Sequence, residues 1–288
     1  MKTTFRLVLC WIAFIAAIFL SGAISGILHL HAVAMPGGAS PQSLFLSQVV
    51  ASAVLVIGLW PLARSLAGPA WVRAAAFISF LLLALGVNGM IEAKKFTSFL
   101  DVGIGSSIVF YISIALFVGS AVGLLFGTGG QSTSFPHRGW PAWTWRLIAA
   151  WLGWPVVYFF FGMCIAPIVV PYYNAGVAGL RIPSMTVVIT TQLIRSPIFL
   201  LTSLFFVALW NGSRRNLWIA LGLAHAFTIG LYGLVGATFL PPVLRITHSI
   251  EMTCDAFAYT GLLVALFTAP AAGISIEPLP QQPHLLPH

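Results

Sequence analysis

Acidic residues are almost missing from this chain: only five of 288 residues are Asp or Glu, and charges of both signs together make up 6% of the sequence. So few charges cannot cover the surface of a water-solvated globule of this size. Cysteine is also scarce. Cys10, Cys164 and Cys254 stand far apart with no CxxC or Cys/His spacing, which excludes a disulfide framework and a zinc knuckle. No GxxxxGK[ST] and no HExxH occurs, so nothing supports ATP hydrolysis or zincin chemistry. Gly103-Ile104-Gly105 lacks the aspartate that follows in GxGD intramembrane proteases, and Gly22 to Gly26 lacks the rhomboid GxSG spacing.

What the chain has instead is apolar length. Hydrophobic residues reach 59% and the mean hydropathy is +1.01. A helix crossing about 30 Å of hydrocarbon needs about 20 apolar residues. Runs of that kind lie near 7–30, 42–62, 72–91, 104–127, 146–170, 184–210, 217–240 and 247–270. The expected fold is an all-α integral membrane protein with about eight transmembrane helices, embedded in a lipid bilayer. The first apolar run continues to Leu30, too far for a cleavable signal, and reads as a span.

The net charge of +8 is carried singly and in pairs at helix ends, with no basic stripe that would suit nucleic acid. With the N-terminus inside, Lys2, Arg6, Arg64, Arg73, Arg138, Arg146, Arg214 and Arg215 are cytoplasmic, against Lys94, Lys95, Arg181 and Arg245 outside. This asymmetry predicts an inner membrane of bacterial type with both termini cytoplasmic.

Helices one and five share a start. Over 19 positions at an offset of 140, Thr4, Arg6, Leu7, Trp11, Phe19 and Gly22 recur as Thr144, Arg146, Leu147, Trp151, Phe159 and Gly162. At an offset of 150, Trp60 recurs as Trp210, Arg64 as Arg214, and Asp101 faces Glu251. The reading is a 4+4 parallel internal repeat. The halves are 1–127 and 146–272, joined by a cytoplasmic linker 128–145 and followed by a proline-rich disordered tail 273–288. Ser40-Pro41 supplies an N-cap and first-turn proline for helix two. Gly22xxxGly26 and Gly119xxxGly123 are expected to admit close helix neighbours. The tryptophans from Trp140 to Trp154 are expected to form an interfacial belt.

Chemistry is expected at RITHSIEMTCDAFAY, Arg245 to Tyr259. His248, Glu251 and Asp255 fall at i, i+3 and i+7, one helical face. Counting back from Pro270 puts Glu251 at the outer boundary and Asp255 one turn inside, where an ionised carboxylate is costly. Arg195, expected to snorkel outward near the same depth, is its expected partner. The substrate or proton pathway is therefore predicted to use Asp255, Glu251, His248, Arg195 and Asp101. A metal reading would use His248, Glu251, Asp255 and His29. Glu92 is expected to be solvated after helix three, while His225 and Asn88 are expected to bond a neighbouring helix. Three functions remain: a small-solute permease, an outer-leaflet enzyme acting on a lipid-like substrate, or a membrane subunit whose polar stretch only begins helix eight.

Overall fold

In the computed structural model, residues 2–33, 40–128, 130, 136 and 138–268 are described. The predicted tail 273–288 and part of the linker lie outside them. Among the described residues, eight helices are long and apolar enough to cross a membrane: α1 Thr3–Ile27, α2 Gln42–Ala63, α3 Ala70–Phe96, α4 Ile104–Leu125, α5 Trp140–Asn174, α6 Met185–Leu209, α7 Arg214–Gly236 and α8 Pro242–Phe267. Apart from two isolated β-bridges, the regular elements of the described residues are helical. The protein is a multi-pass membrane protein.

Two boundaries move in ways that matter. The third helix continues to Phe96, so Glu92 belongs to its final turns. The eighth begins at Pro242, which places Asp255 13 residues after its start and 12 before its end at Phe267. Asp255 is thus at the helix centre, deeper than the count from its apolar end suggests. Ser40 caps α2 as expected, its hydroxyl accepting from the Ser43 amide at 3.2 Å.

Helix α1 packs on α2 and α4, and α3 packs on α4; likewise α5 packs on α6 and α8, and α7 packs on α8. The two groups meet where α2 touches α7, α3 touches α6, and α3 touches α7. The most buried helices are α7, with 56% of its most apolar stretch buried, and α3 and α6, with 50% each, against 11% in α5. Helices α3 and α7 each contain a π-helical segment, Leu81–Val87 and Ala226–Leu231, and these two segments are in contact.

Only one of the two glycine pairs admits a close helix. On α4, a Cβ at Gly119 would lie 2.7 Å from the Ile78 backbone nitrogen, and one at Gly123 would overlap Ala74 on α3. On α1 the expectation fails: a Cβ at Gly22 or Gly26 would meet nothing within 4 Å. The tryptophan belt needs a correction too. Trp154 is only 2% exposed and points inward, donating to Gln192.

Helices α5 and α6 are joined through two prolines. A proline inside a helix leaves the carbonyl four residues earlier without its N–H partner. Pro155 frees the carbonyl of Trp151, and Ser196 on α6 donates its hydroxyl to that oxygen at 2.5 Å. Pro197 frees the carbonyl of Leu193, and the Trp151 indole donates to it at 2.9 Å. Helix α6 runs through Pro197 from Met185 to Leu209. Ser196→Ala should lower stability by about 1–2 kcal/mol by orphaning a carbonyl. The loss should be smaller in a Pro155→Ala background, where the substituted residue supplies the missing N–H. A thermal-unfolding double-mutant cycle in detergent checks this, and additive effects would refute the exchange.

Candidate functional site

Three helices converge on one guanidinium. Arg195 on α6 is 1% exposed, so it does not snorkel outward. Its Nε donates to Asn88 Oδ1 at 2.5 Å, one Nη to Glu92 Oε2 at 2.7 Å, and the other Nη to Gln192 Oε1 at 3.3 Å. The rings of Trp154 and Phe199 lie 5.9 and 5.6 Å from its central carbon. Asn88 and Glu92 are four residues apart on α3, and Gln192 precedes Arg195 by three on α6, so each pair shares a helix face. The orientation of Gln192 follows from its partners: both the Trp154 indole, at 2.9 Å, and Arg195 are donors, so the atom facing them is the carbonyl oxygen.

The expected Arg195–Asp255 ion pair is not formed. Glu92 takes that place, with its side chain 34% exposed while Arg195 is closed off. Asp255 is 1% exposed, and neither carboxylate oxygen has a hydrogen-bond partner among the described residues. Glu92, Glu251 and Arg195 all lie within its electrostatic reach. The buried amide nitrogens of Asn88 and Gln192 are likewise without partners among the described residues.

Of the predicted face of α8, His248 and Glu251 are brought together. His248 Nδ1 lies 2.6 Å from Glu251 Oε2, and its Nε2 lies 3.4 Å from the Tyr173 hydroxyl on α5. Glu251 is 6% exposed. Beside these groups is a cavity of about 240 Å³ bounded by α3, α5, α6 and α8, whose lining includes Glu92, Tyr158, Tyr173, His248 and Glu251. Gly162 on α5 also lines it, and a Cβ there would make ordinary contact with Glu251 Oε1 at 3.5 Å.

Asp101 and His29 lie elsewhere. Asp101 sits in the turn before α4 and is bound by Lys94 at 3.1 Å and by Arg181. Beside it, Ser98 donates to the Gly179 carbonyl and Arg181 to that of Phe96, which ties the α3–α4 turn to the α5–α6 turn. His29 is exposed in the turn after α1. Among the described residues no three His, Cys, Asp or Glu side chains form a group able to hold a metal, so the expected metal quartet is not assembled. His225 is buried and satisfied, with Nε2 2.8 Å from Ser203 Oγ on α6.

Glu92, Gln192, Tyr158 and Tyr173 are not among the site residues expected from the sequence. For two of them a signal was present: Asn88xxxGlu92 and Gln192xxArg195 place paired polar groups at helical spacing within apolar helices. The tyrosines carry no such mark in a chain with many aromatics. The chain matches no protein-family model, and comparison with the curated proteins and with the solved structures returns no match.

Removing Glu92 would leave a buried guanidinium without its counter-charge. Losing one partner of a fully buried pair costs about 3–5 kcal/mol. Because Glu92 is one-third exposed, Glu92→Gln should cost less, about 2 kcal/mol, and Glu92→Leu with Arg195→Met should recover most of it. Unfolding in detergent tests both variants. Arg181 and Lys94 hold the Asp101 carboxyl below the usual carboxylate range. That contribution is complete above an unfolded value of about 3.9 and is lost as pH falls through the lower folded value. Amide exchange at Ser98 and Arg181 should therefore be faster in Asp101→Asn than in wild type at about pH 5. The difference should vanish in strong acid.

Proposed function

We propose that the protein is a small-solute permease coupled to protons, with the cluster on α3, α5, α6 and α8 as its site. The observation that carries this reading is Asp255, a buried carboxylate at the centre of a transmembrane helix with no hydrogen-bond partner among the described residues. Such a group persists in a membrane interior as the neutral acid or beside a cation. Arg195 is already committed to Glu92, Asn88 and Gln192, so the cluster holds three carboxylates against one guanidinium. That balance favours proton or cation uptake over anion binding, and Arg195 serves as an anchor. His248 and Glu251 line the cavity, and Asp255 follows about 10 Å deeper than His248 along α8 at 1.5 Å per residue. They form an entry leading to a protonatable group.

The 4+4 repeat belongs to the same reading. The packing of α1 on α2 and α4 corresponds to that of α5 on α6 and α8, and α2 against α7 corresponds to α6 against α3. The Trp11 indole donates to the Val49 carbonyl and Ser52 hydroxyl of α2, while Trp151 donates to the Leu193 carbonyl of α6. The segments 1–127 and 146–272 are then the two halves, in an inner membrane with both termini cytoplasmic.

A second reading has its own observation. Glu251, His248 and Tyr173 make a chain in which a carboxylate orients an imidazole toward a hydroxyl at the wall of a largely apolar cavity. Acid–base catalysis uses such an arrangement, here on a lipid-like substrate entering from the outer leaflet.

Proteoliposomes with a pH-sensitive dye inside decide for or against the permease. Addition of one member of a panel of amines, amino acids, sugars and carboxylates should shift internal pH. Asp255→Asn should reduce that shift at least tenfold. Solute uptake that proceeds equally well in Asp255→Asn and Glu251→Gln would sink the proposal.

A further inference from the structure

A second and larger cavity, of about 800 Å³, lies between α1, α2, α4 and α7 with the end of α3 as its floor. Its width comes from missing side chains. Gly22 and Gly26 on α1 and Gly233 on α7 all line it, and a Cβ at any of them would meet nothing within 4 Å. The walls are apolar where Leu30, Leu44, Phe110 and Leu240 contribute, and Phe45, which also lines it, is 38% exposed on the flank of α2. Gly22 and Gly26 are themselves exposed, so the cavity is open along α1.

Its polar groups are of one kind. None of the described lining residues is Asp, Glu, Lys, Arg or His. Gln48 Oε1 accepts from the Tyr232 hydroxyl at 2.9 Å, which leaves the Gln48 amide nitrogen available for a further acceptor. The hydroxyls of Ser25 and Tyr111 have no hydrogen-bond partner among the described residues. Apolar walls with a few convergent hydrogen-bonding groups are the usual make-up of a small-molecule site. A carboxylate or ammonium group would find no counter-charge here and would be costly to bury. A hydroxyl or ester carbonyl would find donors and acceptors.

The geometry points to this cavity as a binding site for an uncharged, single-chain amphiphile, with its hydrocarbon chain along α1 and its hydroxyl or ester end toward Gln48, Ser25 and Tyr111. The inference does not depend on transport, because the cavity shares no ionisable residue with the cluster around Arg195.

Purified full-length protein in nanodiscs, titrated with radiolabelled monooleoylglycerol, tests it. Binding should saturate at one molecule per chain and be displaced by oleyl alcohol, with oleate at least tenfold weaker. Gly22→Leu with Gly26→Leu fills the space without meeting another helix and should weaken binding at least tenfold, with elution volume and thermal unfolding unchanged. If that variant fails to fold, Gln48→Leu with Tyr111→Phe decides, with a loss of at least threefold expected. Asp255→Asn should bind as wild type does, even where it abolishes solute-driven pH changes. Non-saturable binding, oleate competing as well as the alcohol, or full affinity in the variants would each overturn the assignment.

Discussion

A buried guanidinium is costly in a membrane protein unless its charge is balanced and its donors are met. Arg195 meets that demand with Glu92, Asn88 and Gln192, under the rings of Trp154 and Phe199. The demand fixes more than one side chain. It holds α3 against α6, one of the seams between the two groups of helices, and it turns Trp154 inward to share the Gln192 oxygen. It also uses the positive charge locally. Glu251 and Asp255 on α8 are left without a guanidinium of their own, so the cluster has more carboxyl groups than guanidinium groups to balance them.

The helices around this anchor are irregular where it matters. Prolines in α5 and α6 free two carbonyls, and a serine and an indole from the opposite helix take them up, so each defect becomes a contact. The π-helical segments of α3 and α7 touch at the centre of the molecule, with Asn88 directly after one and His225 directly before the other. Segments of this kind shift the register of side chains within a helix and are frequent at functional sites. On α3 the shift falls immediately before the two residues that grip Arg195.

Much of this was legible from composition and spacing. Apolar length alone located eight spans to within a few residues at most ends, because the hydrocarbon thickness imposes a minimum apolar length on each of them. The face formed by His248, Glu251 and Asp255 followed from helical periodicity. The errors came from boundaries and partners. Glu92 looked like a loop residue because hydropathy ends a span where charges begin, whereas α3 continues for another turn to Phe96. Arg195 and Asp255 looked like a pair because each lacked another evident opposite charge at its depth. Which helix faces which is a long-range property, and one sequence does not carry it. Gly22xxxGly26 failed for the same reason: the motif permits a close neighbour but does not supply one.

The same limit explains why the larger cavity escaped notice. A site for an uncharged ligand needs no charged residue, no metal-ligand spacing and no glycine-rich loop; it needs space and a few hydroxyls, which an apolar sequence offers almost everywhere. The two cavities use corresponding helices if the halves are related as proposed: α5, α6, α8 and α3 around one, α1, α2, α4 and α7 around the other. Gly162 beside Glu251 then corresponds to Gly22 beside open space. A duplicated framework would hold a charged site in one half and an uncharged one in the other. The difference comes from a handful of side chains: the smaller cavity is lined by Glu92, His248 and Glu251, whereas none of the described residues lining the larger one is Asp, Glu, Lys, Arg or His. Substituting few residues on a fixed set of packed helices changes what a cavity binds far more readily than rebuilding the helices does, because each ionisable group alters the balance of burial and charge by itself. Chemical divergence between two such cavities is therefore physically easier than divergence of their walls.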